Sequence, residues 1–344
     1  MDHSSNPTKT RREFLKCITA LSAVSFLGIG KSYLPIKYKH KIYSPPDFEY
    51  KYRTISVEHV KEIKAWFEKL NSENRISRNN IFRGYIDHFE FDPQKILPGA
   101  KSIVLLAKPQ RIASILFQIK GKKYNVLIPT GYVADEVSAD FIKERVMQDI
   151  IKDRNKKLQD RIRLPLKTLT VRSGLAEYGR NNITYVDSYG SYHELIAYYT
   201  DKVFEDNWRP IKMMRICKGC SLCINACPNN CITKENFVVN IGKCITLYNE
   251  LSDPMPEWID PVAHNALVGC LSCQYTCPAN EEGIKQIEQL AVITEEETEL
   301  ILNGGGDEKL WDSIVKKLNR FPSAQDHEYF SRNLRLVLAN MKHP

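Results

Sequence analysis

Cysteine spacing is the strongest chemical signal in this chain of 344 residues. Nine of its ten cysteines lie between positions 217 and 277, and the tenth is Cys17. The first motif, C-x2-C-x2-C-x3-C-P, comprises Cys217, Cys220, Cys223 and Cys227. In bacterial ferredoxins this run binds [4Fe–4S] clusters, and its fourth cysteine ligates the other cluster of a pair. The spacing therefore predicts two cubane clusters and one-electron transfer.

A second motif supplies the remaining ligands but lacks one cysteine. It reads Cys270-x2-Cys273-x3-Cys277-Pro278. Exchange of the last cysteine between the two motifs assigns Cys277 to the first cluster. The predicted ligands of the first cluster are then Cys217, Cys220, Cys223 and Cys277. The second cluster receives Cys227, Cys270 and Cys273 and needs a fourth thiolate.

Two cysteines compete for that fourth position. Cys231 is four residues past Cys227 and is interpreted as part of the same short helix. Cys244 follows an apolar segment, 237–241, which is interpreted as a strand that returns the chain to the cluster. We predict Cys244 as the ligand and Cys231 as a buried thiol beside the cluster. Zinc sites group four thiolates, so eight cysteines with two Cys-Pro endings disfavour zinc, and they disfavour a disulfide framework further.

The N-terminus resembles an export signal. Arg11 and Arg12 lie in a twin-arginine pattern, followed by 14 uncharged residues from Cys17 to Gly30. That run is short for a membrane helix but has the length of a signal-peptide core. The alternative is a basic amphipathic or buried helix. We predict export as a folded holoprotein to the periplasm or the outer face of the cytoplasmic membrane, where it could associate peripherally with the membrane.

The overall charge bears on possible partners. The formal net charge is +8, which would suit an anionic surface or nucleic acid. Loss of residues 1–32 and binding of two clusters by eight thiolates would bring the protein close to neutrality. A nucleic-acid partner is therefore disfavoured.

Periodicity and composition divide the chain into five segments. A helix capped by Ser56, a buried strand at 102–107 and a charged helix within 134–160 indicate an α+β domain. Thr294 begins a capping box, and further helices are predicted at 307–319 and 324–341. The segments are a signal peptide (1–32), a linker (33–52), an α+β domain (53–205), a ferredoxin-like domain (206–290) and C-terminal helices (291–344).

Several separated segments match one family in order. They are Asp92-Pro93, Leu97-Pro98-Gly99-Ala100-Lys101-Ser102, the loop from Gly174 to Asn181, both cysteine motifs, Lys243-Cys244-Ile245 and 294–298. On these residues the chain resembles the epoxyqueuosine reductases and, more distantly, the reductive dehalogenases. The resemblance implies a nitroreductase-like domain that binds cobalamin or another cobamide, followed by a two-cluster ferredoxin-like domain. It also places the fourth ligand of the second cluster at Cys244.

The resemblance also implies roles for individual residues. Gly174, Gly179 and Asn181 would form part of the cobamide site. Counting back from this loop, Asp160 corresponds to the proton-donating aspartate of epoxyqueuosine reductases. Tyr178 and Arg180 would correspond to the tyrosine and basic residue of dehalogenases. The chain departs from the family at 176–177, where Ala-Glu replaces Gly-Trp.

These features are compatible with three functions. The main prediction is an exported, corrinoid-dependent oxidoreductase that acts on a small molecule and receives electrons from a donor protein or a membrane quinol system. One alternative is a two-cluster electron carrier without corrinoid. The other is an epoxyqueuosine reductase-like tRNA-modifying enzyme, whose substrate would be cytoplasmic.

Overall fold

The computed structural model describes residues 48–134, 137–160 and 162–341. The twin-arginine motif, the apolar run and nearly all of the predicted linker lie outside these residues. Within them, no helix is long and apolar enough to cross a membrane. The strands and helices of the described chain form two sheets with helices packed on them, which confirms the predicted mixed α+β class.

The first sheet is antiparallel and is buried on both faces. Its strand order is β1 (Lys51–Ser56), β2 (Ser102–Pro109), β8 (His193–Thr200) and β5 (Leu158–Gln159). Alternate residues of β2 enter different cores, with Ile103 and Leu105 on one side and Val104 and Leu106 on the other. Burial of both faces explains why this strand is apolar without alternation.

Three helices cover this sheet. The first, α1 (Val60–Ser72), follows a single turn capped by Ser56, as the sequence predicted. Together with α5 (Leu166–Arg172) it packs on one face, and α4 (Ala139–Val146) packs on the other. Two short helices, α2 (Asn80–Ile86) and α3 (Pro93–Ile96), lie between α1 and β2. The predicted charged helix is therefore shorter than expected, and it buries Ile142 and Val146 before a wide turn at 147–151 ends it.

The second sheet joins distant parts of the chain. Its order is β4 (Lys122–Ile128), β3 (Ile112–Ile119) and β9 (Ile287–Ile293), with β9 parallel to β3. The C-terminal helices α9 (Glu295–Leu302), α10 (Glu308–Lys317) and α11 (His327–Met341) pack on it. The Thr294 capping box is present. The expected domain boundary at residue 290 thus falls inside β9, and the C-terminal helices share a core with β3 and β4.

The cysteine region connects β8 to β9 through short helical turns. Its helices are α6 (Leu222–Asn225), α7 (Thr246–Asn249) and α8 (Ser272–Tyr275). Two sequence interpretations are wrong here. Residues 237–241 form a loop rather than a strand, and Cys231 lies in the loop after α6 rather than on a helix. The Cys231 carbonyl accepts a hydrogen bond from the Asn240 backbone at 2.8 Å, so loop contacts alone bring the chain back toward Cys244.

A two-stranded ribbon of β6 (Glu177–Tyr178) and β7 (Thr184–Tyr185) joins the first sheet to the cysteine region. The turn between the two strands contains Gly179, Arg180 and Asn181. This turn is the part of the predicted ligand loop that meets the cysteines.

Candidate iron–sulfur centre and cavity

The first predicted ligand group lines one small hollow. Cys217, Cys220, Cys223 and Cys277 all face this space of about 330 Å³. Three come from the turns around α6, and Cys277 comes from the end of the second motif. The surroundings are partly open to solvent, because Ile216 is 48% exposed and Leu222 is 46% exposed.

The second predicted ligand group lines a much larger cavity. Cys227, Cys244, Cys270 and Cys273 contribute to the wall of a space of about 1220 Å³, a volume that includes the solvent at its opening. Cys231 lines the same wall. Cys277 thus lines the same space as three cysteines of the first motif, and Cys227 lines the same space as two of the second.

The pKa shifts of the Cys223 and Cys273 thiols agree with this division into two groups, because each shift depends mainly on burial and on cysteines of the same group. Burial raises the pKa of Cys223 to about 11, and the next contributions come from Cys217 and Cys220. Burial also raises the pKa of Cys273, with Cys270 and Cys244 as the nearest charged neighbours. Thiolates packed this closely repel one another, and a bound cationic cluster core offsets that repulsion. The donor sets therefore fit two iron–sulfur clusters.

Polar side chains occupy the wall of the large cavity opposite the cysteines. Lys167 comes from α5, and His193 and Glu194 come from the start of β8. His193 is fixed by hydrogen-bond contacts from its ring nitrogens to Thr184 Oγ1 and to the Gly190 carbonyl, each at 3.1 Å. These elements place a lysine, a histidine and a carboxylate around one space next to the second group of thiols.

Burial shifts the two basic groups of this cavity. Desolvation lowers the pKa of Lys167 to about 8, although the Cys273 and Cys244 thiolates act in the opposite direction. Desolvation also lowers the pKa of His193 to about 4, against a smaller opposing effect of the Gly190 carbonyl. Near neutral pH, His193 is therefore neutral, whereas Lys167 is protonated and close to its pKa.

Two buried polar atoms of cavity-lining residues have no protein partner. They are Gln110 Oε1 and Asn229 Nδ2. Buried polar atoms of native proteins nearly always have a partner. Their presence in the wall of a cavity this large is a feature of a ligand site.

The turn between β6 and β7 contacts both cysteine groups. Arg180 donates through Nη2 to the Cys217 carbonyl at 2.9 Å. Asn181 donates through Nδ2 to the Tyr185 hydroxyl at 3.0 Å and to the Cys273 carbonyl at 3.3 Å. A Cβ on Gly179 would lie 2.5 Å from both Asn181 Oδ1 and the Tyr185 ring. Of these residues, Asn181 lines both spaces, whereas Gly179 and Arg180 line only the small hollow.

Three other predicted site residues lie away from the large cavity. Tyr178 is buried, and its hydroxyl pairs with Thr168 Oγ1 at 3.0 Å. Gly174 packs against the Arg209 guanidinium, which donates to its carbonyl. Asp160 is exposed and accepts from Gln159 Nε2 at 2.7 Å. Gly174 lines a different space, together with Tyr185 and Pro278, and its part in a cobamide site stays a prediction.

Lys167, His193 and Glu194 were not predicted as cavity residues from the sequence. Lys167 does carry a signal, because this charge stands among Leu166, Thr168 and Leu169, which are all buried. Lysine is rarely surrounded by core residues without a functional or pairing reason. His193 and Glu194 carry no comparable signal, since only the pairing of β8 in the sheet brings them to the cavity.

Comparison with known proteins supports the cysteine domain. The family described as "4Fe-4S double cluster binding domain" matches residues 216–280. Curated relatives include the epoxyqueuosine reductases of Bacillus subtilis and Leadbetterella byssophila. The first is 27% identical over 214 residues, which are 58% of this chain and 54% of that protein. The second is 27% identical over 257 residues, which are 65% of this chain and 80% of that protein.

Solved structures show a similar fold. Epoxyqueuosine reductase of Streptococcus thermophilus aligns with a TM-score of 0.57 at 18% identity, over 85% of this chain and 77% of the other. The Bacillus subtilis enzyme, with its catalytic aspartate loop swung out of the active site, gives 0.59 at 19%, over 85% and 78%. An epoxyqueuosine reductase with an epoxyqueuosine-modified tRNA stem loop gives 0.58 at 19%, over 85% and 78%. The chain spans about half the length of the Bacillus subtilis relative that it matches by sequence.

These comparisons correct three predictions. The main function, an exported reductase of a small molecule, is contradicted because the relatives are epoxyqueuosine reductases. The expectation against nucleic acid is wrong, because one solved relative holds a tRNA stem loop. Export, the membrane quinol donor and membrane association fall with the main function, since the tRNA substrate implied by the resemblance is cytoplasmic. The relatives are reductases, in agreement with the predicted oxidoreductase class. Residues 216–280 match a double [4Fe–4S] cluster binding domain, and the chain is similar in sequence and fold to the epoxyqueuosine reductases.

Proposed function

We propose that this protein is an epoxyqueuosine reductase-type enzyme that delivers electrons through two clusters to a modified nucleoside in tRNA. One observation carries the proposal. The second group of thiols lines a cavity together with Lys167 and His193, so a cluster bound there would face a space that also holds titratable side chains. A simple electron carrier has no need for such a cavity beside its inner cluster.

The ligand assignment is part of this proposal. The first cluster would be held by Cys217, Cys220, Cys223 and Cys277, and the second by Cys227, Cys244, Cys270 and Cys273. The hollows that these two sets line support the division. The alternating order, in which the last cysteine of each motif joins the other set, is typical of two-cluster ferredoxins.

A cobamide is the proposed cofactor of the cavity, in a nitroreductase-like first domain. The unpaired Gln110 Oε1 and Asn229 Nδ2 in the cavity wall fit a ligand with polar groups at its edge. When bound, such a cofactor supplies a strongly reducing cobalt centre. Residues 129–132, Asn182 and Thr184 would contact it, because they line the same space.

Lys167 is the proposed proton donor in this cavity. Asp160 is exposed and outside the cavity, and Tyr178 bonds to Thr168. Lys167 lines the cavity, and burial brings the pKa of its ammonium group to about 8. A donor whose pKa lies near the working pH transfers its proton most effectively.

The experiment is conversion of epoxyqueuosine in a tRNA stem loop. The full chain would be reconstituted anaerobically with iron, sulfide and cobalamin, and a low-potential reductant would be added. We expect loss of the epoxide in the modified base, measured by mass spectrometry of the nucleosides. An unmodified stem loop and protein without clusters are the controls. Intact, redox-active clusters with no conversion and no cobalamin binding would favour the electron-carrier alternative.

A further inference from the structure

We propose that Cys231 donates a hydrogen bond to Cys227, a ligand of the second cluster, and that it raises the reduction potential of that cluster. The inference rests on the proposed ligand set of Cys227, Cys244, Cys270 and Cys273. It does not depend on the identity of the substrate. Electrons would consequently be favoured on the cluster that faces the cavity.

Cys231 lies next to ligands of the second cluster. Its Sγ lies 3.1 Å from Cys227 Sγ, and Cys244 packs against the same buried group of side chains. The side chain is buried, with 5% of the residue exposed. Cys231 thus lies beside one ligand from the first motif and in the same packed group as one from the segment after it.

Backbone contacts hold the thiol in this position. The Cys231 N–H donates to Cys227 Sγ at 3.4 Å, and the Asn240 N–H donates to the Cys231 carbonyl at 2.8 Å. Both backbone polar groups of Cys231, its N–H and its carbonyl, are therefore held by hydrogen bonds. A thiol fixed in this way needs little reorganisation to keep its hydrogen bonds when the cluster changes charge.

The chemistry determines which sulfur donates. Cysteines bound to iron are thiolates and carry no proton, so Cys227 and Cys244 can only accept. Cys231 is the remaining thiol of the group and is able to donate its S–H. Reduction adds one negative charge to the cluster and its thiolates. A donor stabilises the more negative form, and hydrogen bonds to the sulfurs are among the factors that set cluster potentials.

The two groups of cysteines differ in the hydrogen-bond donors around their sulfur atoms. In the second group, Asn265 Nδ2 also donates to Cys270 Sγ at 3.1 Å. In the first group, Tyr185 lines the hollow beside Cys277, and Arg180 Nη2 donates to the Cys217 carbonyl at 2.9 Å rather than to its sulfur. Cys231 therefore adds a donor to a second group in which another ligand sulfur already accepts a hydrogen bond.

The test compares Cys231→Ala with Cys231→Ser in the full, cluster-replete protein. Alanine removes the donor, whereas serine keeps a hydroxyl donor at the same position. The midpoint potential of the second cluster would be measured by redox titration followed by EPR. We expect Cys231→Ala to keep both clusters and to lower the reduced-to-oxidised ratio at fixed potential about tenfold. This corresponds to a downward shift of about 59 mV for a one-electron couple.

A matched control separates hydrogen bonding from packing. Val239 packs against the same thiols but has no donor group in its side chain. Val239→Ala should therefore leave the midpoint within a small fraction of the shift caused by Cys231→Ala. Cys231→Ser should have a midpoint equal to or above that of the wild type.

Two results would overturn the inference. An unchanged midpoint in Cys231→Ala would show that the thiol does not tune the cluster. Loss of the second cluster from both Cys231 variants, with retention in Cys244→Ser, would make Cys231 the ligand. Neither result bears on tRNA conversion, and a protein that fails to act on tRNA would still give the midpoint shift if Cys231 donates.

Discussion

The two cysteine sites arise from similar motifs but face opposite environments. The first lines a hollow of about 330 Å³ whose rim includes the exposed side chains of Ile216 and Leu222. The second borders a cavity of about 1220 Å³ together with Lys167 and His193. Under the proposed function, this difference predicts that electrons pass from a donor outside to the first cluster and then to the second.

The difference comes from the segments that connect each motif to the rest of the chain. After Cys227, the chain continues through a loop that returns at Asn240 and leads to Cys244. After Cys277, the chain passes through two short helical turns, at Pro278–Asn280 and Gly283–Lys285, and then enters β9. The first connection closes the wall of the cavity, whereas the second ties the cysteine region to the second sheet.

Replacement of a single cysteine ligand should have the largest effect on iron content. It should remove one cluster and leave the other in place. Cys244→Ser should lose the second cluster and retain about four iron atoms of about eight, since each cubane contains four. Cys277→Ser should lose the first cluster to a similar extent. Iron and acid-labile sulfide analysis measures both, and neither variant should contain zinc.

The same pair of variants tests the direction of electron flow. A protein donor should fail to reduce the remaining cluster of Cys277→Ser at a useful rate, because the outer site is gone. A small reductant that enters the cavity should still reduce it. Equal rates with the protein donor in wild type and Cys277→Ser would contradict the order of the two clusters.

Lys167 should have the next largest effect if it donates a proton in the cavity. Lys167→Met should lower the single-turnover rate about 100-fold, the smaller end of the range for a general acid. In the wild type the rate should fall as the pH rises through about 8, because the ammonium group then loses its proton. His193, whose pKa burial lowers to about 4, stays neutral across this range and adds no alkaline limb.

Lys167→Arg is the control for this prediction. Arginine keeps the positive charge in the cavity but remains protonated throughout the accessible pH range. The alkaline decrease should therefore disappear, whereas binding that depends only on charge should persist. An unchanged alkaline limb in Lys167→Met would assign the titration to another group.

Valine substitutions at two glycines of the loop 174–181 should have different effects on iron content. Gly179 lies in the turn between β6 and β7, which contacts both cysteine groups, whereas Gly174 lies at the start of the loop. Gly179→Val should displace Asn181 and Tyr185, because its Cβ would lie 2.5 Å from each. We expect a loss of about 1–3 kcal/mol in stability and reduced iron content, as in other overpacked positions. Thermal unfolding and iron analysis of the reconstituted protein measure these effects.

Gly174→Val is the matched variant. Gly174 has a φ of +74°, so valine there is strained, and its Cβ would meet the Arg209 side chain. A strain of about 1–3 kcal/mol is expected, but both clusters and cobalamin binding should be retained, because this residue lies outside the large cavity. Loss of cobalamin binding in Gly174→Val alone would return this part of the loop to the cofactor site.

The sequence predicted the local features of this protein better than its cavity. Cysteine spacing identified the two-cluster domain, and the Ser56 cap and the Thr294 capping box marked helix starts that the structure contains. These features depend on residues a few positions apart. The parallel pairing of β9 with β3 joins residues about 175 positions apart, and no local pattern specifies it.

The arrangement of catalytic residues also depends on contacts between distant segments. Counting along the chain assigns Asp160 as a proton donor, whereas its side chain is exposed in the structure. His193 and Glu194 reach the cavity only because β8 pairs with β2, where Glu194 lies opposite Lys108. The N-terminal motif predicts export, whereas the order of the matching segments over the rest of the chain predicts an epoxyqueuosine reductase, which the comparisons favour.

The smallest effect is expected at the rim of the first site. Leu222 is 46% exposed and lines the hollow of the first cysteine group. If a donor protein docks there, Leu222→Gln should raise its KM about fivefold, which corresponds to about 1 kcal/mol, as for a contact outside the centre of an interface. The reduction rate with a small-molecule donor should not change. Val262, which is 68% exposed and lines neither the hollow nor the large cavity, provides the control, and Val262→Gln should leave both rates unaltered. A donor KM that is equal in Leu222→Gln and wild type would place docking elsewhere and would leave the outward-facing cluster without a defined contact surface.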